Sequence, residues 1–402
     1  MKIGIDARFY GSLGKGLGRY TEKLIEHLEL LDQENEYVVF LRRENFDEYI
    51  PKNPHFTKRV AQYSWYGFSE QLLFVIMLYR FSFDLVHFPH FNVPVLYRRA
   101  FVVTIHDLIL VHYPTIRNTT RLALLYRVKF LVYRYVIASA IRRARHIITV
   151  SEFTKQDIVR EYPGARGKVT VTYEAADSFC QYSYPAEEKK LFERLALNKI
   201  SPTFDGDMER VSRDILKKYF LYVGNAYPHK NLPVLFAAAR AFPEYKLVLV
   251  GKDDFFYQKL QKQAQDEGLS NVLFAGFLTD HELSSLYRFA QYYIFPSLYE
   301  GFGLPPLEAM TRGTVVVASD RGSLPEILGE AAWYFDPTDE QSLVKSLHLL
   351  ESDVDKKQVL KKLGYQQAAG YSFHDMATIT LSIYQGVASN TTHYGTATSP
   401  KI

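Results

Sequence analysis

The sequence has few of the features that mark disulfide-bonded or membrane-spanning proteins. Its 402 residues include one cysteine, Cys180, which excludes an internal disulfide and fits a reducing compartment. The apolar run 72–78 is far shorter than the ~20 residues that span a bilayer. Asp6 and Arg8 interrupt the apolar start of the chain, which is unlike a secretory signal. We therefore expect a cytoplasmic protein.

The sequence also lacks a large excess of charge of either sign. The chain has 48 Lys and Arg against 44 Asp and Glu, and a net charge of +4 gives no reason to expect a nucleic-acid partner. Aromatic residues, in contrast, are abundant, with 30 Tyr and 28 Phe. Two explanations stay open at this point, namely contact with sugar or lipid and ordinary core packing.

Apolar runs of strand length alternate with longer helical segments in both halves of the chain. This order predicts an α/β fold of two doubly wound, Rossmann-like domains that face one another across a cleft, with ligands at the carboxyl ends of the strands. We predict an N-terminal domain over 1–176, a linker over 177–214 with a helix near 187–197, a C-terminal domain over 215–388, and a disordered tail over 389–402. The last helix is a candidate to pack back on the N-terminal domain. The predicted strands are MKIGI, EYVVFL, DLVHF, AFVVTIH, HIITVS and KVTVTY, then KYFLYVG, YKLVLVG, NVLFAGF, YYIFPS and TVVVAS.

A glycine-bearing turn in the second half carries two carboxylates. The strand YYIFPS leads into a turn with Gly301 and Gly303, and a helix is predicted from Leu304. Free N–H groups at a helix start suit a phosphate or sugar hydroxyls, and glycine lets that backbone approach the ligand. Glu300 and Glu308 bracket the turn, so both carboxylates are expected to face one ligand and to accept its hydroxyl hydrogen bonds. The alternative is that both are solvated surface charges.

A second turn in the same half supplies a cation. The strand KYFLYVG ends at Gly224, and Lys230 lies in the loop before the next predicted helix. A fixed cation there would stabilise the charge that grows on a leaving diphosphate.

These segments resemble the family 4 retaining glycosyltransferases of the GT-B fold. The resemblance is carried by YEGFGLPPLEAM together with GKGLGRYT, TIHDL, TVSEFT, VGNAYPHKN and SDRGSLPEILGEAAWYFDP, in the family's order along nearly the whole chain. It implies a nucleotide-sugar donor, a glycan or lipid-linked acceptor, no cofactor and no divalent metal. The mannosyltransferase-type members look most similar, so GDP-mannose is the first donor that we expect, with UDP- and dTDP-sugars as competitors.

The resemblance also implies roles for individual residues of the second half. Glu308 would bind the donor ribose, and Glu300 would lie near the donor sugar as a catalytic residue. His229 stands where the family has an arginine, which puts the loop's hold on the donor in doubt because histidine is often neutral. Further donor-binding candidates are Asn225, Lys230, Phe302, Gly303 and Leu304, with Gly276, Phe277 and Leu278 as candidates for contact with the base.

In the first half, the resemblance implicates the strand-end residue His106 and the loop glycines Gly16 and Gly18. His106 would hydrogen-bond a donor sugar hydroxyl, and Asp107 would either orient that imidazole or cap the segment that follows. No pair of carboxylates spaced for double displacement can be placed from the sequence. The resemblance implies a front-face mechanism, in which the leaving phosphate accepts the proton of the acceptor. Other classes stay open: a sugar-nucleotide epimerase or a phosphorylase on the same architecture, or a non-catalytic glycan-binding protein.

A basic, apolar stretch raises the question of membrane contact. No Asp or Glu occurs from residue 108 to 151, and residues 65–83 are rich in aromatic and aliphatic side chains. Such segments either rest on an anionic membrane or form an ordinary solvated helix face, and peripheral contact with the inner face of the membrane is one expectation. The basic residues are Arg117, Arg121, Arg127, Lys129, Arg134, Arg142, Arg143 and Arg145.

Overall fold

The computed structural model describes residues 1–14, 16–114, 123–176, 185–197 and 218–389. These form two compact units. Unit 1 holds the described residues from Met1 to Glu174 and from Ser372 onward, and unit 2 holds those from Ala175 to Tyr371. Most of the predicted linker and almost all of the predicted tail, residues 390–402, lie outside the described residues.

Unit 1 is built on a seven-stranded parallel sheet. Its order, β3-β2-β1-β4-β5-β6-β7, reverses direction between β1 and β4. Alternate residues of each strand pack on opposite faces. Val38 and Phe40 belong to one apolar cluster, whereas Tyr37 and Val39 belong to the other, as a sheet covered on both faces requires. The strands are β1 (Lys2–Asp6), β2 (Glu36–Leu41), β3 (Phe56–Val60), β4 (Leu85–Phe88), β5 (Phe101–Ile105), β6 (His146–Thr149) and β7 (Val169–Val171).

Six helices of unit 1 connect or cover these strands. A π-helical turn, Glu70–Phe74, runs directly into the second of them. The last helix follows unit 2 in the chain but packs on the first helix, where Met376, Ile383 and Tyr384 join the apolar cluster of β1 and β2. The helices are α1 (Gly16–Leu31), α2 (Val75–Tyr79), α3 (Ile109–His112), α4 (Ala123–Arg143), α5 (Glu152–Glu161) and, after unit 2, α14 (Phe373–Ser389).

Unit 2 repeats the plan with six parallel strands in the order β10-β9-β8-β11-β12-β13. The direction reverses between β8 and β11. In open α/β sheets, ligands bind outside the carboxyl ends of the strands at such a reversal. The strands are β8 (Tyr219–Val223), β9 (Lys246–Val250), β10 (Val272–Gly276), β11 (Tyr292–Phe295), β12 (Val315–Ser319) and β13 (Ala332–Phe335).

The helices of unit 2 include the one predicted near 187–197, which spans Pro185–Arg194. Arg194 at its end pairs with Glu282 of α9 at 2.5 Å. The helices are α6 (Pro185–Arg194), α7 (Leu235–Ala241), α8 (Phe255–Asp266), α9 (Asp280–Phe289), α10 (Leu304–Thr311), α11 (Leu324–Leu328), α12 (Glu340–Ser352) and α13 (Val354–Ala369). Within the described ranges, no helix is both long enough and apolar enough to cross a bilayer.

Two strands of the structure, β3 and β13, were not predicted from the sequence. β3 and β13 each pair on one side only, at the edges of their sheets. Edge strands need no continuous apolar run, and β3 exposes the polar side chains of the segment FTKRV. The predicted loop from Gly11 to Thr21 is also corrected, because Gly16 and Gly18 lie inside the first turn of α1.

Candidate active site

The glycine turn after β11 is shaped by the backbone of Gly303. This residue adopts φ +93°, the left-handed region, and a Cβ at this position would lie 2.8 Å from Cδ2 of Leu324. Glycine is therefore required both by conformation and by space. The turn delivers the chain into α10, which starts at Leu304 with proline in its first turn, as predicted.

The two carboxylates that bracket this turn are buried. Glu300 is 6% exposed and Glu308 is 5% exposed, so neither is a solvated surface charge. The hydroxyl of Tyr287 in α9 donates a hydrogen bond to Oε2 of Glu308 at 3.0 Å. Burying a carboxylate is costly unless hydrogen bonds stabilise it, and Tyr287 supplies one such bond.

Lys230 reaches the same turn from the loop after β8. It ends a 3₁₀ turn, Pro228–Lys230, that continues into a residue with left-handed φ, Asn231. Its Nζ donates to Oε1 of Glu300 at 2.5 Å, and both side chains are largely buried. The cation and the carboxylate come from the two strands that flank the reversal of the unit 2 sheet, so the structure brings Lys230, Glu300 and the Gly303 turn together.

His229 lies beside this pair but does not share its charge. The side chain is buried, and burial, with a smaller contribution from the Lys230 ammonium, lowers the pKa of His229 to about 4. At neutral pH the imidazole is therefore uncharged. It does not replace the positive charge of an arginine in holding a diphosphate.

The other candidates of unit 2 lie at the same edge of its sheet. Phe302 is buried, and its carbonyl oxygen accepts from the hydroxyl of Ser323 at 3.1 Å. Asn225 is exposed, and its Oδ1 accepts from the Tyr227 N–H at 3.2 Å. After β10 come Gly276 with φ +72°, Phe277 at 82% exposed, and Leu278, which is buried.

In unit 1, His106 follows β5 and both of its ring nitrogens are hydrogen-bonded. Nε2 lies 3.0 Å from the carbonyl oxygen of Pro89, and Nδ1 lies 3.1 Å from Oε1 of Glu174. A carbonyl oxygen only accepts, so Nε2 carries a proton. A hydroxyl group of a donor sugar can hydrogen-bond to a ring nitrogen of His106 only if one of these two hydrogen bonds breaks.

Glu174 favours the charged form of that imidazole. Burial acts to lower the pKa of His106, but the hydrogen bond and the negative charge of Glu174 outweigh it, so the pKa is raised above its usual value. Smaller contributions come from the Pro89 carbonyl and from Asp107. The ring also meets Tyr20 edge-on, with 4.6 Å between centroids.

Two other predicted residues of unit 1 have structural roles. Oδ1 of Asp107 accepts from the Ile109 N–H at 2.9 Å at the start of α3, which is compatible with the capping alternative, and its charge also acts on His106. A Cβ on Gly18 would lie 2.0 Å from the carbonyl oxygen of Gly11, so close packing alone requires glycine there. Among the described residues, apart from its chain neighbours and the backbone of its own helix, no atom lies within 4 Å of the position that a Cβ would take on Gly16.

Sequence reasoning missed Glu174 and Tyr287, which hold His106 and Glu308. The signal in the sequence is weak. Glu174 stands just after the strand KVTVTY, where a polar strand-end residue is informative, and Tyr287 stands in a helical pattern as one of 30 tyrosines.

Among the described residues, one group of side chains could hold a metal ion, although the resemblance implies no divalent metal. His112, Asp157 and Glu161 place ligand atoms within 4.8 Å of one another in unit 1. The guanidinium of Arg160 already binds Asp157, and a second cation there would be repelled. This cluster contains none of the predicted site residues.

Two family models match the chain in succession. The model "Glycosyltransferase Family 4" matches residues 14–178, and the model "Glycosyl transferases group 1" matches residues 207–367. The chain belongs to the family 4 glycosyltransferases of group 1. The two matches together take in every site residue discussed above.

Relatives of this glycosyltransferase that have been characterised include mannosyltransferases. It is 28% identical to O-antigen chain mannosyltransferase B of Escherichia coli, over 92% of this chain and 96% of that protein. It is 26% identical to O-antigen chain mannosyltransferase RfbU of Salmonella typhimurium, over 86% and 91%.

Solved structures agree on the GT-B fold. Sucrose-phosphate synthase from Thermosynechococcus elongatus aligns with a TM-score of 0.70 at 19% identity, over 97% of this glycosyltransferase and 100% of that chain. Anabaena HepE in complex with UDP and glucose aligns with a TM-score of 0.69 at 18% identity, over 96% and 99%.

Proposed function

We propose that this glycosyltransferase moves a mannosyl residue from GDP-mannose to a glycan or lipid-linked acceptor with retention of the anomeric configuration. The observation that carries the proposal is the contact of Lys230 with Glu300 beside the Gly303 turn, at the reversal of the unit 2 sheet. The mannosyltransferase relatives favour mannose over other hexoses.

Each group at this site has a chemical task in the proposed reaction. The ammonium of Lys230 pairs with the diphosphate and stabilises it as the bond from the sugar C1 to the phosphate oxygen breaks. The backbone N–H groups of Gly303 and Leu304, at the start of α10, bind sugar hydroxyls or phosphate oxygens. Pro305 and Pro306, which follow, have no N–H to contribute. Glu308, held by Tyr287, accepts hydrogen bonds from the ribose diol.

Retention follows from attack on the face that the diphosphate leaves. The acceptor oxygen bonds to C1 on that face, and its proton passes to the departing phosphate oxygen. Glu300 then orients the donor sugar and forms no covalent bond with it. A sugar found covalently attached to Glu300 during turnover contradicts this mechanism, as does a product of inverted configuration.

A donor panel tests the proposal directly. The enzyme is incubated without acceptor with GDP-mannose, UDP-glucose, UDP-galactose or a dTDP-sugar, and release of the nucleoside diphosphate is measured. We expect GDP release to be fastest, and to fall at least tenfold in Lys230→Ala and in Glu308→Ala. Glu330→Ala, at an exposed position of unit 2, is the control. Equal release from all donors, or full activity in both site variants, contradicts the assignment.

We further propose that unit 1 contacts an anionic membrane at its cytoplasmic face. Phe68, just before the π-helical turn, is 96% exposed. Tyr97 links the segment 66–79 to α4, because its ring packs on Tyr79 with 5.5 Å between centroids and its carbonyl oxygen accepts from Arg143. Both segments expose large apolar side chains: Tyr66, Phe68, Leu72, Leu73, Ile76 and Tyr79 in one, and Val128, Leu131, Val132 and Tyr135 in the other.

Only some of the basic side chains near this surface are free to contact a membrane. Arg143 is engaged by the carbonyls of Tyr97 and Pro94, whereas Arg127 and Lys129 are exposed. Arg117 and Arg121 lie outside the described residues. At low salt, we expect the enzyme to float with phosphatidylglycerol vesicles. We expect the Leu131→Glu variant to float less. Failure of the unaltered enzyme to float contradicts membrane contact.

A further inference from the structure

Four adjacent strands of unit 1 each deliver one side chain to the same cluster. Phe9 follows β1, Arg42 follows β2, Trp65 follows β3 and His90 follows β4. The strands are parallel, so these side chains come from loops at the carboxyl ends. The cluster includes both strands at the reversal of the sheet, β1 and β4, which is where open α/β sheets bind ligands.

The rings of this cluster are in close contact. Phe9 and Trp65 stack with centroids 4.2 Å apart and planes 4° from parallel. The guanidinium carbon of Arg42 lies 4.8 Å from the centroid of the same indole, and His90 lies 5.2 Å from Phe9. All four residues are partly exposed, so solvent and ligands can reach part of the cluster.

Three nitrogens of the cluster are buried and, among the described residues, have no hydrogen-bond partner. They are Nε1 of Trp65, Nε of Arg42 and Nδ1 of His90. A buried polar group without a partner destabilises a fold, so three such groups in one cluster favour a bound molecule at that place. Trp65 and Arg42 only donate, which requires oxygen acceptors on that molecule.

The charge of the cluster favours a neutral ligand. Arg42 is already paired with Glu44 at 2.7 Å, and burial, with a smaller contribution from His106, lowers the pKa of His90 to about 3. The cluster therefore offers no unpaired positive charge for a phosphate or a carboxylate. A pyranose ring fits it better, because its C–H groups pack on aromatic rings and its hydroxyl oxygens accept N–H hydrogen bonds.

The cluster adjoins the predicted reaction site of unit 1. His90 follows Pro89, whose carbonyl oxygen holds Nε2 of His106 at 3.0 Å. We propose that Phe9, Arg42, Trp65 and His90 form a subsite for one sugar ring of the acceptor glycan. The proposal rests on the glycosyl transfer proposed above, and it assigns to this cluster the recognition of the acceptor.

The tryptophan content allows a direct test. The chain has two tryptophans, so Trp333→Phe, in β13 of unit 2, leaves Trp65 as the only indole reporter. Its fluorescence is titrated with an α-linked mannotriose in the absence of donor. We expect a saturable change, with a dissociation constant of about 1 mM for a single weak subsite. No saturable change up to about 10 mM, ten times that constant, overturns the proposal.

Matched substitutions then locate the sugar. Trp65→Phe keeps an aromatic ring over Phe9 but removes the N–H donor, and it is expected to weaken mannotriose binding about three- to tenfold in calorimetry. Trp333→Phe makes the same chemical change outside the cluster and is expected to leave binding unaltered. Equal binding by the two variants places the sugar elsewhere and overturns the assignment. A Trp65 response to phosphatidylglycerol vesicles without one to mannotriose identifies a lipid contact and also overturns it.

Donor turnover separates this proposal from the proposed reaction. Release of nucleoside diphosphate without acceptor requires the unit 2 site but no acceptor subsite. If the enzyme releases nucleoside diphosphate but mannotriose does not change the fluorescence of Trp65, only the acceptor subsite is contradicted. If the enzyme hydrolyses no donor but still binds mannotriose saturably, the proposed glycosyl transfer is contradicted. The sugar-binding site at the cluster is then still supported.

Discussion

The ammonium of Lys230 and the carboxylate of Glu300 satisfy one another at 2.5 Å. A diphosphate that binds Lys230 must therefore compete with a carboxylate already in place. If the proposed nucleotide binds here, this contact is expected to weaken its ground-state binding, because part of the lysine charge is neutralised before the ligand arrives.

The first prediction follows from that competition. Glu300→Gln removes the competing charge and is expected to tighten binding of free GDP by about three- to tenfold, while transfer falls because Glu300 no longer orients the sugar. Calorimetry with GDP measures the affinity, with Glu330→Gln as the exposed control. Unchanged or weaker GDP binding in Glu300→Gln shows that the ion pair does not oppose the nucleotide.

The second prediction concerns the raised pKa of His106. Glu174→Gln removes the negative charge and leaves burial as the main influence, so the pKa of His106 should fall below its ordinary value of about 6.5. NMR titration of the ring reports this shift directly. The pH dependence of turnover should move in the same direction.

The titratable neighbours of His106 define the control for that experiment. Besides Glu174, the ring faces Asp107, Tyr20, His87 and His90. Glu152→Gln alters a partly exposed acid of α5 that pairs with Lys155. A His106 pKa that stays raised in Glu174→Gln, or falls equally in Glu152→Gln, contradicts the role assigned to Glu174.

The strands of both sheets were largely predictable because parallel sheets bury both faces, which makes each central strand a continuous apolar run. The edge strand β3 escaped because Thr57, Lys58 and Arg59 break that run. The Gly303 turn with its two glutamates was predictable for another reason, since its parts lie within nine residues of one another.

Glu174 and Tyr287 were not predictable in the same way. Glu174 is 68 residues from His106, and Tyr287 is 21 residues from Glu308, so only the folded chain brings each pair together. No local spacing rule connects such residues. The same holds for the four loops that supply Phe9, Arg42, Trp65 and His90.

The third prediction tests how Glu308 is held. Tyr287→Phe removes the hydroxyl that donates to Oε2 of Glu308 at 3.0 Å and keeps the ring that packs edge-on against Tyr293. We expect the KM for the donor to rise about three- to tenfold with a smaller change in kcat, because the hydrogen bond orients Glu308, the residue proposed to bind the ribose.

The control is a tyrosine whose hydroxyl bonds elsewhere in unit 2. The Tyr334 hydroxyl donates to the Gly329 carbonyl oxygen at 2.7 Å, so Tyr334→Phe loses one hydrogen bond without touching Glu308. If both variants raise the donor KM equally, the effect is one of general stability and not of Glu308.

The fourth prediction concerns acid stability and His146 in β6. Burial, with a smaller contribution from Lys168, lowers the pKa of His146 to about 4, from about 6.5 in the unfolded chain. Between these values the unfolded chain binds a proton that the folded one does not. His146 therefore destabilises the fold progressively as pH falls from 6.5 to 4, by at most about 1.4 kcal/mol per pH unit.

His146→Asn removes this titration while leaving a polar group near Thr170, whose hydroxyl lies 2.8 Å from Nε2 of the histidine. Denaturant unfolding at several pH values should show that the free energy of unfolding falls less steeply below pH 6.5 in the variant. The lost hydrogen-bond geometry lowers stability at every pH and so shifts the curve without changing its slope. His374→Asn, at an exposed position in α14, makes the same substitution for comparison. Parallel curves for His146→Asn and the unaltered protein would mean that His146 takes up its proton equally in the folded and unfolded chains.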